Sequence, residues 1–170
     1  MFLSVREMEL RTLRFEETYS PGEIRFLEDD PWQASALQAT GSAELLPNTD
    51  GEIRIRGRLK VRMEAECDRC LEVARFPVEV SFDLFYEPDA PDEEEVEIDP
   101  GESEVGFYAG KGLELEEVLR EQVLLALPMQ RICREDCRGI CPVCGQNRNL
   151  VACGCRLEPV DDRWAALRNL

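Results

Sequence analysis

Histidine is absent from this chain of 170 residues. The sequence therefore offers no imidazole for general base catalysis, for a Ser-His triad or for a mixed Cys/His zinc site. The catalytic signatures G-x-S-x-G, the P-loop and the glycine pattern of dinucleotide-binding folds are missing as well. The sequence thus gives no support to an enzyme, and we expect no small-molecule substrate.

Long apolar runs are also missing. The longest one, residues 123–129, is far too short to cross a bilayer. The first 30 residues do not resemble a signal peptide, because charged residues such as Arg6 and Glu7 interrupt any apolar core. We therefore expect a cytoplasmic protein without a membrane partner, in which thiols stay reduced and available to metal.

Basic residues are absent from the segment 87–104, which contains ten acidic ones. The net charge of the chain is −16, so that −6 remains for all other residues. A charge of −16 is unusual for a nucleic-acid binder, but its uneven distribution makes the total a poor guide. We predict that 87–104 is a solvated acidic loop, which could screen a basic surface or receive a cationic partner.

Cysteines are the most informative residues that the sequence does contain. Six of them fall within the 23 residues 133–155, and Cys67 and Cys70 lie upstream. Thiolates at this density either form disulfides or bind metal, and a reducing compartment favours metal. The turn Cys141-Pro-Val-Cys144-Gly145 is a C-x₂-C turn of the kind that places two sulfurs on one zinc ion.

Eight cysteines divide arithmetically into two Cys₄ sites. In one assignment a local zinc knuckle uses Cys141, Cys144, Cys153 and Cys155, while Cys67 and Cys70 meet Cys133 and Cys137 across the fold. In another, Cys133 or Cys137 replaces one of the local ligands. Cys67 could also be a small buried hydrophobic residue at the end of an apolar strand face. We predict one or two structural Zn²⁺ ions, because surplus thiolates without histidine favour closed sites.

Alternating hydrophobicity predicts a long strand over residues 53–67. Apolar side chains occupy one parity of this segment and charged side chains occupy most of the other. A second alternation over 76–84 predicts a partner strand. The two strands should form an antiparallel hairpin with Cys67 and Cys70 at its tip.

Other segments complete the predicted fold. Residues 34–46 are predicted to form a further strand, joined to the long strand by the turn 47–51, and 8–19 is a weaker strand candidate. A helix is predicted over 113–127, because its apolar residues fall near one face and a proline follows. A final short helix is predicted from about Asp161 onward.

These elements predict an α+β protein with an antiparallel, strongly curved or barrel-like sheet, a covering helix and a C-terminal Cys-rich zinc knuckle. Four regions are predicted along the chain. They are a β-rich domain with the C-x₂-C hairpin (1–86), an acidic loop (87–104), a covering strand and helix of the same domain (105–129), and the zinc knuckle with a terminal helix (130–170).

Five cations alternate along the outer face of the long strand, and we call them the basic stripe: Arg54, Arg56, Arg58, Lys60 and Arg62. Alternate residues of a strand stand roughly 6.6 Å apart, so such a row could bind RNA by following its phosphate backbone. In a second interpretation, carboxylates of neighbouring strands, for instance Glu79 and Asp83, neutralise the row as cross-strand pairs. Aromatic side chains, which are expected of a base-stacking surface, are missing from the stripe.

In combination, these residues resemble the YceD-like family, the large-ribosomal-RNA accumulation proteins of bacteria and plastids. The resemblance covers nearly the whole chain. The motifs that carry it are, in order, Pro21-Gly-Glu-Ile24, Cys67-Asp-Arg-Cys70-Leu-Glu, Phe85-Tyr-Glu-Pro88, Leu127-Pro128, Cys133-x₃-Cys137-Arg-Gly-Ile-Cys141-Pro-Val-Cys144-Gly, Cys153-x-Cys155 and Asp162-Arg-Trp164-Ala-Ala-Leu167.

The resemblance implies a cytoplasmic, non-enzymatic ribosome-biogenesis factor that supports processing or accumulation of large-subunit (23S) rRNA. Its expected partners are large-subunit rRNA, a basic large-subunit ribosomal protein, or both. The competing class is a structural zinc-binding protein-interaction module or a metal-storage protein unrelated to the ribosome. Metal stores need loosely organised ligands, whereas most of this chain has strand and helix patterns.

Overall fold

The computed structural model describes residues 1–26, 31–89 and 105–156. Nearly all of the acidic segment 87–104 and the whole predicted terminal helix from Asp161 onward lie outside the described residues. No helix among the described residues is long and apolar enough to span a membrane.

The chain divides into two compact units. Unit 1 consists of Met1–Ala65 and Arg75–Met129, and unit 2 consists of Glu66–Ala74 and Gln130–Leu170. Unit 2 therefore combines the connection between two strands of the sheet with the C-terminal part of the chain.

Eight strands and two helices form in the described residues, and the architecture is α+β with mostly sheet. In chain order they are β1 (Phe2–Ser4), α1 (Val5–Met8), β2 (Leu13–Tyr19), β3 (Trp32–Gln33), β4 (Leu37–Leu45), β5 (Ile53–Glu66), β6 (Val73–Pro88), β7 (Val105–Tyr108), β8 (Gly112–Glu114) and α2 (Leu115–Ala126).

The main sheet has six strands and is open. Its order is β2-β4-β5-β6-β7, with β3 also pairing with β5, while β1 and β8 form a separate antiparallel pair. The prediction of a strongly curved or barrel-like sheet is therefore not supported. Closure is not needed to shield the apolar face, because α2 supplies that cover: Leu115, Leu119 and Val123 are buried in the same core as the strand residues.

One strand pair departs from the predicted antiparallel arrangement. β7 pairs with β6 in parallel, with Phe85 opposite Val105 and Pro88 opposite Tyr108. A parallel neighbour requires a long return connection, and 16 residues separate the two strands in the sequence. The all-antiparallel prediction is therefore wrong at this edge.

The long hairpin agrees with the alternation in the sequence. β5 covers the predicted strand except its final residue, and its inward side chains are nearly inaccessible: Ile53, Ile55, Leu59, Val61, Met63 and Ala65. β6 contains the second predicted strand and buries Val78 and Phe82. The ion pairs Arg54–Asp83 and Lys60–Glu79 join the two strands in opposite directions, as an antiparallel hairpin requires.

Three further predictions have mixed outcomes. β4 confirms the strand predicted over 34–46 and pairs with β5 in antiparallel, and α2 confirms the helix predicted over 113–127. The strand predicted over 8–19 is wrong at its start, because Val5–Met8 are helical and β2 begins only at Leu13. Met8 is buried from that helix, so its apolar character reflects core packing rather than strand alternation.

The hydrocarbon core lies in unit 1. Every residue of the buried hydrophobic cluster belongs to that unit. In the described part of unit 2, the buried side chains of apolar type are Ala74 and four cysteines, namely Cys67, Cys70, Cys137 and Cys141. Unit 2 therefore buries thiols where a domain of ordinary composition would bury aliphatic side chains.

Candidate metal centres

Unit 2 brings the eight cysteines together in two groups of four. Cluster I consists of Cys67, Cys70, Cys133 and Cys137, and cluster II consists of Cys141, Cys144, Cys153 and Cys155. Within each cluster the four sulfur atoms all lie within 4.8 Å of one another. The chain thus adopts the first of the two assignments that the sequence left open, and each cluster could hold a metal ion.

Sulfur separations in cluster I fit a tetrahedral thiolate site. The Sγ atoms of Cys67 and Cys137 are 3.9 Å apart, and those of Cys70 and Cys133 are 3.6 Å apart. Four thiolates at about 2.3 Å from a central zinc ion would lie about 3.8 Å from one another. A disulfide would need about 2.05 Å, and all eight cysteines are free thiols. The donor set therefore fits a tetrahedral ion of the size of zinc.

The first knuckle, residues 67–72, is a turn closed by two backbone hydrogen bonds. The N–H of Leu71 donates to the carbonyl oxygen of Cys67 at 2.9 Å, and the N–H of Cys67 donates to the carbonyl oxygen of Glu72 at 2.8 Å. Leu71 has a positive φ of 64°. The turn directs both Cys67 and Cys70 into cluster I.

The second knuckle, residues 141–146, repeats this pattern. Gly145 N–H donates to Cys141 O and Cys141 N–H donates to Gln146 O, both at 2.8 Å. Gly145 has a φ of 73°, close to that of Leu71 in the first knuckle. The two C-x₂-C turns are therefore equivalent in backbone structure. The equivalence is not evident from the sequence, because leucine occupies the position in the first knuckle that glycine occupies in the second.

Hydrogen bonds hold the first knuckle to residues 131–140. Asp68 N–H donates to Arg131 O at 2.8 Å, and Ile140 N–H donates to Arg69 O at 2.8 Å. The intervening stretch supplies Cys133 and Cys137, so these bonds bring the second pair of sulfurs to the first. Cluster I thereby joins cysteines that are 63 and 70 residues apart in the chain.

N–H donors also point at the sulfur atoms of cluster I. Cys133 N–H donates to Cys67 Sγ at 3.3 Å, and the side-chain amide of Asn149 donates to Cys137 Sγ at 3.4 Å. Burial raises the pKa of the Cys67 thiol, but backbone N–H groups, that of Cys133 foremost, outweigh burial and lower this pKa to about 6. Hydrogen bonds to a sulfur favour its thiolate form, which is the form that binds metal.

The thiols of cluster I oppose one another's ionisation. Burial, followed by interactions with Cys70, Cys137 and Cys67, raises the pKa of Cys133 to about 12. Burial raises the pKa of Cys137, but hydrogen bonds, that of Asn149 foremost, outweigh burial and lower it. The third and fourth thiolates, those of Cys70 and Cys133, are therefore the costly ones, because burial and the neighbouring thiols raise their pKa values. A divalent cation at the centre removes this repulsion, so metal binding and ionisation of the remaining thiols are coupled.

Cluster II has the same electrostatic arrangement in a more exposed setting. Backbone N–H groups of Cys144 and Val143 lower the pKa of Cys141 to about 6. The thiol of Cys144, together with burial, raises the pKa of Cys155 to about 12. Cys141 is buried and Cys153 is half-buried, but Cys144 and Cys155 are exposed. Solvent therefore reaches cluster II, whereas three of the four cysteines of cluster I are buried.

Arg54, at the start of the basic stripe, is engaged by a neighbouring strand. Its Nε and Nη2 atoms donate to the two carboxylate oxygens of Asp83 at 2.8 and 2.6 Å. Its guanidinium carbon also lies 5.2 Å from the ring centroid of Phe85. The bidentate pair lowers the pKa of Asp83. Arg54 is thus already bound to an anion and an aromatic ring.

The other four cations of the stripe divide into two kinds. Arg56 pairs with Glu44 at 3.0 Å, and Lys60 pairs with Glu79 at 3.6 Å. Arg58 donates to the hydroxyl of Thr40 at 3.3 Å, and neither Arg58 nor Arg62 forms an ion pair with a described residue. Glu79 and Asp83 therefore occupy the places that the cross-strand interpretation expects, and binding of RNA to the stripe stays a prediction.

The chain is similar to one described protein family and to several bacterial proteins. A family model described as "Large ribosomal RNA subunit accumulation protein YceD" matches residues 55–170. An uncharacterized protein of Mycobacterium tuberculosis is 36% identical over 116 residues, which are 68% of this chain and 54% of that protein. An uncharacterized protein of Mycobacterium leprae is 28% identical over 120 residues, 70% of this chain and 53% of that protein.

The protein YlbN of Bacillus subtilis, also uncharacterized, is 23% identical over 170 residues, covering 98% of this chain and 92% of that protein. By contrast, this chain spans about half the length of the mycobacterial relatives that it matches. No solved structure matches it. The family model covers well over half of the chain, including all eight cysteines and nearly all of β5, and the chain therefore belongs to the YceD family.

Proposed function

We propose that this chain is a non-enzymatic factor of ribosome biogenesis that acts in the cytoplasm. It supports processing or accumulation of large-subunit (23S) rRNA by binding that RNA or a basic large-subunit ribosomal protein. The observation that carries the proposal is the match of residues 55–170 to a family described by large ribosomal RNA subunit accumulation. The matched region contains both cysteine clusters and the basic stripe except Arg54.

The proposal includes one structural Zn²⁺ ion in each cluster. The sulfur separations of 3.6 and 3.9 Å in cluster I support this choice, as do the two equivalent knuckles and the lack of histidine in the chain. Four cysteine sulfurs complete the tetrahedron of a zinc ion, so the bound ion would supply a cross-link and no open coordination position. Its binding would contribute on the order of 10 kcal/mol to folding of the segment that holds it.

Two properties of the chain favour different ribosomal targets. Arg58 and Arg62 of the stripe are without carboxylate partners among the described residues and favour RNA. The net charge of −16 favours a basic protein. The competing function, a metal store unrelated to the ribosome, is disfavoured because cluster I has buried sulfurs that accept N–H donors. Stores need ligands that exchange metal freely.

Affinity purification of the tagged chain from its own cells tests the proposal. One half of the lysate is treated with nuclease, and large-subunit rRNA, small-subunit rRNA and proteins are quantified in both halves. We expect large-subunit rRNA to be enriched over small-subunit rRNA, which serves as the internal control. Ribosomal proteins that disappear with nuclease indicate an RNA target, and one basic protein that survives indicates a protein target.

Deletion of the gene supplies the second half of this test. The ratio of large- to small-subunit rRNA should fall in the deletion strain and recover when the wild-type chain is expressed. The proposal would be contradicted if the ratio stays unchanged and the purification recovers neither large-subunit rRNA nor ribosomal proteins. The competing function would then be favoured.

A further inference from the structure

We propose that unit 2 carries an RNA-contacting surface formed by Arg138, Arg148 and Arg156 around cluster II. We call these three residues the knuckle arginines. The inference rests on the proposed role in large-subunit rRNA accumulation and goes beyond it by assigning the RNA contact to the cysteine-rich unit. It differs from the RNA contact predicted from the sequence, which lies on the basic stripe of β5.

Charge is the first observation that supports this surface. The segment 137–156 contains the three knuckle arginines and no aspartate or glutamate. All three side chains are exposed, and none forms a hydrogen bond or an ion pair with a described residue. In the basic stripe, by contrast, carboxylates engage Arg54, Arg56 and Lys60. An unpaired arginine can bind a phosphate without first giving up a carboxylate.

Backbone hydrogen bonds fix the positions of two knuckle arginines. Arg148 N–H donates to Gly139 O at 2.9 Å, and Arg138 N–H donates to the side-chain oxygen of Asn149 at 2.8 Å. Gly139 has a φ of 68°, and a Cβ there would lie 2.8 Å from the carbonyl oxygen of Arg69. Arg138 and Arg148 therefore flank a single antiparallel bridge, between Ile140 and Asn147, rather than a free loop.

Cluster II lies beside Arg148. Arg148 lines a depression together with Cys141, Cys153 and Cys155, and Arg156 directly follows Cys155. A zinc ion with four thiolates carries two negative charges, and Arg148 and Arg156, which adjoin cluster II, balance them. Arg138 directly follows Cys137 of cluster I and adds a third exposed cation to the unit.

The chemistry of this surface selects RNA over a basic protein. A cationic ribosomal protein would be repelled by the knuckle arginines, whereas phosphates are attracted to them. Exposed apolar side chains, among them Val143, Leu150 and Val151, can contact sugars and the faces of unpaired bases. The segment 130–156 contains no aromatic residue. Binding should therefore be dominated by phosphate charge, with steep salt dependence and little sequence preference.

The test measures binding of zinc-loaded full-length chain to fluorescent, overlapping transcripts of large-subunit rRNA. The first variant is R138Q/R148Q/R156Q. The comparison variant, R56Q/R58Q/R62Q, removes the same charge from the basic stripe. Three phosphate contacts correspond to a salt slope of about −2 to −3 and to a factor on the order of 100 in affinity at about 0.1 M salt. We expect the knuckle variant to lose this slope and this affinity, while the stripe variant, in which a carboxylate already engages Arg56, loses less of both.

Several outcomes would overturn the inference, and they separate its failure from failure of the proposed function. If the stripe variant loses RNA and the knuckle variant does not, the knuckle surface is wrong but an RNA-binding factor remains. If the wild-type chain ignores RNA and captures a basic ribosomal protein, the inference fails and the protein form of the proposed function stands. If it binds neither, both fail.

Zinc content and the melting temperature of each variant serve as folding controls. Should the triple knuckle variant lose zinc, the single variants Arg138→Gln and Arg156→Gln carry the test. Each should reduce the magnitude of the salt slope by about 0.7–0.9, the value of one phosphate contact. Unchanged slopes in both folded single variants would overturn the inference.

Discussion

A leucine occupies the left-handed backbone position of the first knuckle, where the second knuckle has a glycine. Leu71 has a φ of 64°, and 60% of its surface is exposed, so core packing does not explain its conformation. A left-handed conformation costs a residue with a Cβ atom roughly 1–2 kcal/mol. The turn retains this strain because it delivers Cys67 and Cys70 to the same cluster.

We expect the substitutions Leu71→Gly and Gly145→Ala to shift stability in opposite directions. Leu71→Gly relieves the strain of the first knuckle and, after the entropic cost of glycine in the unfolded chain, should stabilise unit 2 by about 0.5 kcal/mol. Gly145→Ala introduces strain at a φ of 73°, where a Cβ would meet no atom within 4 Å. It should destabilise unit 2 by about 1 kcal/mol. Denaturation of the zinc-loaded chain, followed by zinc release, measures both changes.

Leu71→Ala is the control for this pair, because it keeps the Cβ atom and therefore the strain. It should leave the denaturation midpoint close to that of the wild type or slightly below it. If Leu71→Gly instead destabilises unit 2 as much as Gly145→Ala does, contacts of the leucine side chain outweigh the backbone strain, and the equivalence of the knuckles does not extend to energetics.

Three ion pairs connect β5 and β6 on the solvent-exposed face of their hairpin. Arg54–Asp83, Lys60–Glu79 and Arg75–Glu64 join the strands at 2.6, 3.6 and 2.9 Å. All are at least partly exposed, so each contributes little on its own. Arg54–Asp83 is the pair with bidentate geometry, and it should contribute more than Lys60–Glu79, whose side chains are 69% and 75% exposed.

We expect the Arg54–Asp83 pair to make the stability of the hairpin dependent on pH. The hydrogen bond from Arg54 lowers the pKa of Asp83 in the folded chain below its unfolded value of about 3.9. Its contribution is therefore present above that value and is lost as the pH falls through the folded pKa. Asp83→Asn should cost less than about 1 kcal/mol at pH 7, and this deficit should shrink below about pH 4.

Urea denaturation of the wild type and of Asp83→Asn at neutral and acidic pH measures this change. Glu79→Gln is the matched control, since its partner is 3.6 Å away and both side chains are exposed. Its deficit at neutral pH should be smaller. A deficit of Asp83→Asn that stays constant from neutral to acidic pH would show that its cause is not the charge of Asp83.

Element length explains which parts of the fold the sequence could predict. β5 alternates over 14 residues and α2 places four buried side chains on one face, so each repeats its signal several times. β1, α1 and β8 have only three or four residues each, which is too short for a hydrophobic pattern to repeat. β1 also depends on a distant partner, because Phe2 pairs with Glu114. The parallel pairing of β7 with β6 likewise depends on the course of the chain between them.

The same reasoning applies to the cysteines. Cluster II draws all its ligands from 15 consecutive residues, and spacing alone indicates it. Cluster I requires segments more than 60 residues apart to meet, and arithmetic could suggest this pairing without giving its geometry. Leu71 also makes the first knuckle hard to recognise from the sequence, because glycine normally occupies the left-handed position of such a turn.

Unit 1 and the described part of unit 2 differ in the side chains that form their interiors. Unit 1 has a continuous hydrocarbon core formed by the strands and α2. The described part of unit 2 buries cysteines and one alanine, and exposes Ile140, Val143, Leu150 and Val151. A segment of this size without aliphatic burial cannot offset the entropy of ordering its backbone. The proposed zinc ions would supply the stabilisation that the described part of unit 2 does not gain from a hydrocarbon core.

Removal of zinc should therefore unfold unit 2 and spare unit 1. We expect a strong chelator to release two zinc equivalents per chain, after which backbone amides of residues 67–72 and 131–151 lose protection from hydrogen exchange. Amides of β4 and of the first half of β5 should keep their protection, because their core contains no cysteine. Added zinc should restore the protection of unit 2, which excludes irreversible damage. Equal loss of protection in β4 would show that the hydrocarbon core depends on the metal as well, and unchanged protection in unit 2 would show that its hydrogen bonds suffice without it.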